Sequence, residues 1–172
     1  MTILLIILGA VVLINLISLL ITQVFFRGEL DDLTPPGQLV EVNGKNMHIY
    51  SMGSGETTIV LLPGMGMPLP SADFGPLMRA LSQEHTVVVV EFFGYGFSDQ
   101  TDIPRTNANF TDEIRQALSL SGFVPPFVLM PHSASGIYSE YFATRYPHEV
   151  SAIKASKQTA WCKHKNRLSA SS

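Results

Sequence analysis

The chain has 172 residues, 46% of them hydrophobic, a formal charge of −3 and one cysteine, Cys162. A lone cysteine excludes an intramolecular disulfide and a cysteine-rich metal site, and no nucleic-acid-binding surface can be read in the chain. Charge is divided unevenly: 6 basic and 14 acidic residues occur up to Val150, and 5 basic and no acidic residues from Ser151 onward.

The first segment, Thr2 to Phe26, contains no charged side chain. Its length suits a helix that crosses a bilayer, so residues 1–26 are expected to form a single-pass membrane anchor, with the membrane contacted through residues 2–26. A cleaved signal peptide fits less well, because the apolar run is too long, no Lys or Arg precedes it and no A-x-A site follows. Arg27 is the only nearby cation, which leaves the side of the membrane open. Residues 27–38 (RGELDDLTPPGQ) read as a polar linker.

A domain is expected over residues 39–150. LVEVNGKNMHIYSMGSG alternates apolar and polar residues around Asn43-Gly44, which signals a hairpin. TTIVLLP, TVVVVEF and FVLM are continuous apolar runs with the character of buried strands. Helical spacing places Phe74, Leu77, Met78 and Leu81 on one face within 72–82. A second helix is expected over 109–120, with Phe110, Ile114, Ala117 and Leu118 inward and Asn109 or Thr111 as its cap. Ile137, Tyr138, Tyr141 and Phe142 are expected to line the apolar face of a third helix. A hairpin followed by alternating strands and helices predicts an α/β fold, mostly parallel, with helices on both faces. Residues 151–172 lose the apolar periodicity and read as a basic tail, disordered or out of the original frame.

Three motifs occur in order. LLPGMGMP (61–68) resembles the oxyanion loop of α/β-hydrolases, with Pro63 in place of the usual His. EFFGYGFSD (91–99) resembles their D-x-x-G-x-G-x-S segment, with Glu91 where Asp is common. MPHSASG (130–136) resembles the G-x-S-x-G elbow. Residues 39 to about 150 are therefore similar to the first five strands of that family plus the helix after the nucleophile. The resemblance implies Ser133 as nucleophile and the N–H groups of Met65 and Ala134 as donors to a tetrahedral oxyanion. It implies no cofactor and no metal.

The same residues have plainer roles to weigh. Ser133 could be an ordinary helix N-cap. Gly64 and Gly66 could be simple turn glycines. His132 is expected to be a packing or pocket-wall residue, because adjacent side chains on a tight corner point apart. Pro131 removes a ladder donor from a central strand, which a strand ending one residue earlier would accommodate.

After Ser133 the acids are Glu140 and Glu149 and the histidines His148 and His164. None lies on a loop after a later strand, where the family order Ser, Asp or Glu, His would put the remaining triad members. The expected function is a membrane-anchored serine hydrolase acting on a small-molecule or peptide acyl substrate, incomplete in its triad and of little or no activity. The alternative is a non-catalytic membrane protein whose hydrolase-like domain binds a ligand or partner. Esters, peptides with a free N-terminus and lactones all fit as substrates.

Overall fold

The computed structural model describes residues 2–25 and 33–154, with side chains described over 7–21 and 33–154. Two compact units divide at Thr34/Pro35. The first contains helix α1 (Thr2–Phe25). Its described apolar side chains are exposed, among them Leu8, Leu13, Ile14 and Leu20. The amide of Asn15 donates to the Val11 carbonyl oxygen one turn earlier at 2.8 Å, so it is satisfied within the helix. The expected helix is present, but it is not shown to be a membrane span. Among the described residues no helix is long and apolar enough to cross a membrane, and the described side chains cover only 7–21 of α1.

The second unit is built on a six-stranded sheet: β1 (Gln38–Val42), β2 (Lys45–Met52), β3 (Thr58–Leu62), β4 (Thr86–Val90), β5 (Phe127–Pro131) and β6 (Val150–Ile153). The strand order is β1-β2-β4-β3-β5-β6. β1 and β2 form an antiparallel hairpin whose register ends at Val42 opposite Lys45. Asn43 and Gly44 between them both have positive φ, as a two-residue turn matching the strand twist requires. β2 pairs antiparallel with β4, whereas β3–β4, β3–β5 and β5–β6 are parallel.

The continuous apolar strands serve both faces because successive side chains alternate. Val60, Leu62, Val88, Val90 and Leu129 meet helix α4 (Asn107–Leu120) and helix α5 (Ser135–Arg145) through Phe110, Ile114, Leu118 and Phe142. Ile59, Leu61, Val87 and Val89 face the other way, onto Phe74 and Met78. Those two belong to the segment formed by helix α2 (Pro70–Asp73), Phe74 itself and helix α3 (Gly75–Leu81).

Several sequence expectations need correction. Residues 151–153, assigned to the tail, are strand residues of β6, and Lys154 N–H donates to the Leu129 carbonyl oxygen at 2.8 Å. A sixth strand is therefore present, and only 155–172 of the expected tail lie outside the described residues. The helix expected over 72–82 is two helices, α2 and α3. The cap of α4 is Thr106, whose side chain accepts from Asn109 N–H at 3.2 Å, so Asn109 is a recipient of capping and neither it nor Thr111 is the cap. Ile137 is 60% exposed. Phe142 is buried and Tyr138 packs against the core, its ring stacked on Phe110 at 4.1 Å, as expected, while Ser135 and Ser139 complete the inner face of α5. Finally, β1 begins at Gln38, inside the expected linker.

Candidate active site

β5 and α5 meet at a corner only three residues long, His132, Ser133 and Ala134. His132 N–H donates to the Leu62 carbonyl oxygen at 2.9 Å, extending the β3–β5 ladder by one step. Since backbone groups alternate sides along a strand, Pro131 turns toward the β6 side. Its missing N–H therefore leaves the β3–β5 pairing intact, and the strand runs through Pro131 instead of stopping before it.

Ser133 turns the corner with φ 55°, one of two non-glycine residues in the left-handed region among those described. An L-residue there carries strain that the surroundings must hold in place. The side chain is exposed. The N-cap of α5 is Ala134, with no side-chain capping bond, so Ser133 is not the ordinary cap that its position before a helix suggested. Among the described residues its hydroxyl has no protein partner.

The chain leaving β3, the neighbouring parallel strand, passes directly beside this corner. A Cβ added to Gly64 would overlap His132 Nδ1 and lie 3.1 Å from the Ser133 Cβ, so only glycine allows the approach. Ser135, fully buried, donates its hydroxyl to the Pro63 carbonyl oxygen and ties the first turn of α5 to the start of the same loop. Met65 follows, 80% exposed. Neither Met65 N–H nor Ala134 N–H has a hydrogen-bond acceptor among the described residues. The residues singled out from sequence, Ser133, Met65 and Ala134, thus belong to two loops in direct contact. His132 packs its half-buried ring against Gly64, in keeping with a wall role.

A third loop, residues 91–99 after β4, backs the second. Gly66 N–H reaches the Tyr95 hydroxyl at 3.4 Å, and Gly96 N–H donates to the Pro68 carbonyl oxygen at 2.9 Å. At its base lies Glu91, completely buried. One carboxylate oxygen accepts Ser71 N–H at 2.9 Å and the other Phe97 N–H at 2.8 Å. His48 Nδ1 lies 3.1 Å from the second oxygen. Burial by itself would push the carboxyl up, but the His48 ring and the Phe97 and Ser71 donors outweigh it and hold Glu91 below its ordinary value. His48 Nε2 accepts Gly37 N–H at 3.1 Å, which places the ring proton on Nδ1, facing Glu91. Ser98 completes the junction, accepting from His48 N–H at 2.8 Å and donating to the Glu91 carbonyl oxygen at 2.7 Å. The loop glycines, both at positive φ, and Ser98 shape this segment.

His48 and Ser71 were not singled out from sequence. A histidine inside the run Met47-His48-Ile49 and an acid ending the run TVVVVE were the available signals, but nothing in the spacing joins them.

No base is hydrogen-bonded to Ser133 among the described residues. Glu149 is held by Arg115 through two bonds of 2.8 and 2.6 Å, and the Arg115 guanidinium lies 3.6 Å from the Tyr146 ring centroid. Glu140 and His148 are exposed, and His164 lies outside the described residues. A groove of about 570 Å³ lined by Arg115, Phe123, Val124, Phe127 and Glu149 opens at the start of β5, the opposite end from Ser133. Among the described residues, no group of three or more His, Cys, Asp or Glu is placed to hold a metal ion.

Comparison with known proteins agrees with this geometry. No family model matches the chain. It is 38% identical over 149 residues to the uncharacterized protein YbdG of Bacillus subtilis (strain 168), covering 86% of this chain and 46% of that protein. It is 32% identical over 114 residues to the serine hydrolase BPHL of Mus musculus, covering 64% of this chain and 39% of that one. The chain thus spans less than half the length of these relatives. Among solved structures, a point mutant of the meta-cleavage product hydrolase CumD superposes with a TM-score of 0.63 at 20% identity, over 69% of this chain and 44% of that chain. At that identity the likeness is one of fold.

Proposed function

We propose, on the premise that the chain has an α/β-hydrolase-like fold with a mostly parallel sheet and helices on both faces, that it carries the nucleophile side of a serine hydrolase acting on acyl substrates. The observation that carries the reading is Ser133 itself: an exposed serine held at φ 55° between a central parallel strand and a helix. That strain has no capping role to account for it. A serine forced into this conformation projects its hydroxyl out of the corner, where a substrate carbonyl can reach it.

In this reading the Ser133 oxygen attacks the carbonyl carbon of an ester or peptide-type substrate. The carbonyl oxygen takes the negative charge and is met by the N–H groups of Met65 and Ala134. Both donors lack protein acceptors among the described residues, which supports the assignment. Gly64 keeps the first donor's loop against the corner. The serine proton must pass to a base, and among the described residues no side chain bonds the Ser133 hydroxyl. The mouse relative's name, a serine hydrolase, supports the reaction class.

The decisive experiment is labelling of the whole chain with a fluorophosphonate probe beside Ser133→Ala. Labelling that disappears in the variant is the expected result. Labelling that persists in Ser133→Ala, or none in folded protein after prolonged exposure, would remove Ser133 from the role. In the second case the domain is better read as a hydrolase-like binding module.

α1 acts in the same proposal as a single-pass membrane anchor. Its support is the absence of charge from Thr2 to Phe26, the exposure of its described apolar side chains and the self-satisfied Asn15. Full-length protein is expected in the carbonate-resistant membrane fraction, and protein lacking residues 2–26 outside it. Recovery of the full-length chain in the soluble fraction would end the anchor reading.

A further inference from the structure

Among the described residues, Glu91 is the one buried carboxylate that joins two functional loops, and the reaction as outlined leaves it idle. It lies at the end of β4, at 0% exposure, with no path to substrate. Its two oxygens are nevertheless divided between separate segments. One takes Ser71 N–H, at the start of α2 and just beyond the 63–68 loop. The other takes Phe97 N–H, in the loop whose Tyr95 and Gly96 hold Gly66 and Pro68. Gly96 has no room for a side chain, because a Cβ there would overlap the Glu91 carboxylate. The charge is fixed from behind by His48, whose orientation is fixed by Gly37 N–H, and Gly37 is itself confined, since a Cβ would overlap the Ile49 carbonyl oxygen.

We infer that Glu91 is a positioning residue for the oxyanion loop: its carboxylate pins both ends of the 68–71 and 95–97 contact and so sets where the Met65 N–H points. The inference rests on reading residues 63–68 as that loop. A carboxylate suits the task because both of its oxygens only accept, which lets one side chain satisfy donors from two loops at once. A neutral amide offers one acceptor and one donor group. In Glu91→Gln the NH₂ group therefore opposes either Ser71 N–H or Phe97 N–H, and one loop is released.

The test uses the full chain and measures amide hydrogen exchange at Gly66, Met67, Ser71 and Phe97, with Val60, Val88 and Leu129 as core controls. Exchange does not require Ser133 to react, so it answers separately from the labelling experiment. Glu91→Gln is expected to speed exchange in the loop by about tenfold or more, the size of effect that goes with losing a charge-assisted bond, while the core amides hold. Glu91→Asp, which keeps the charge on a shorter stem, is expected to recover part of the protection. Unchanged loop exchange in folded Glu91→Gln, or equal acceleration in loop and core, overturns the inference. Where Glu91→Gln does not fold, Glu91→Asp decides: faster exchange than the parent at Gly66, Met67, Ser71 and Phe97 with the core amides unchanged supports the inference, whereas loop exchange equal to the parent's overturns it. If exchange responds as expected but no variant or parent labels, the positioning stands and the nucleophile assignment falls.

Discussion

Ser135 donates its buried hydroxyl to the main-chain oxygen of Pro63, fastening the first turn of α5 to the end of β3. That single bond joins the two loops between which the candidate chemistry would occur. Ser135→Ala strands the Pro63 carbonyl oxygen away from water and is expected to cost about 1–3 kcal/mol, the range for a buried group left unsatisfied. Thermal or denaturant unfolding measures it. A change within a few tenths of a kcal/mol would mean that water replaces the hydroxyl and that the corner is looser than described.

Gly64 and His132 leave no space for a methyl group between them. Gly64→Ala is expected to destabilise by about 1–3 kcal/mol, as overpacking does, and to slow Ser133 labelling by displacing the Met65 peptide. Trimming the opposing ring should relieve the clash, so the double variant Gly64→Ala/His132→Ala is expected to recover stability relative to the sum of the singles. Strict additivity in the cycle would show that the two residues are not in contact.

The φ of 55° at Ser133 makes a further prediction that does not depend on catalysis. Glycine accepts this conformation and alanine does not, so Ser133→Gly should be more stable than Ser133→Ala by about 1 kcal/mol. Neither should label. An alanine variant as stable as the glycine variant would indicate that the backbone relaxes out of the left-handed region once the hydroxyl is gone.

Acid should find Glu91. Its folded carboxyl is held below the ordinary value of 4.5 by partners that outweigh its burial. A group depressed in this way contributes stability that is present above its unfolded value and lost as pH falls through the lower folded one. The parent is therefore expected to lose Glu91's contribution progressively as pH falls below 4.5, and Glu91→Gln to start less stable and show a shallower acid limb. Identical acid limbs would mean that other carboxylates govern the transition.

Much of this arrangement was legible in the sequence, and what was not has common causes. Asn43-Gly44 announces its turn through local backbone preference alone, and the runs TIVLL and TVVVV can only be strands buried on both faces. The elbow was readable because strand, serine and helix are consecutive. β6 was not, because VSAI has little apolar patterning of its own and owes its extended form to pairing with Phe127–Leu129. Thr106 was passed over for Asn109 because both are competent capping residues and only the entering backbone decides between them. The tie from His48 to Glu91 was invisible for a simpler reason, since no local pattern connects residues from two different strands.

β3 lies between β4 and β5, with Leu62 in register with Pro131. Until that pairing forms, the loop after β3 and the corner after β5 are unrelated stretches of chain. The distance along the sequence makes this a late and slow contact, since loop-closure entropy is lost before any packing is gained. The candidate site is therefore a product of the tertiary fold: a chain still being synthesised holds Ser133 long before it holds the corner that would present it.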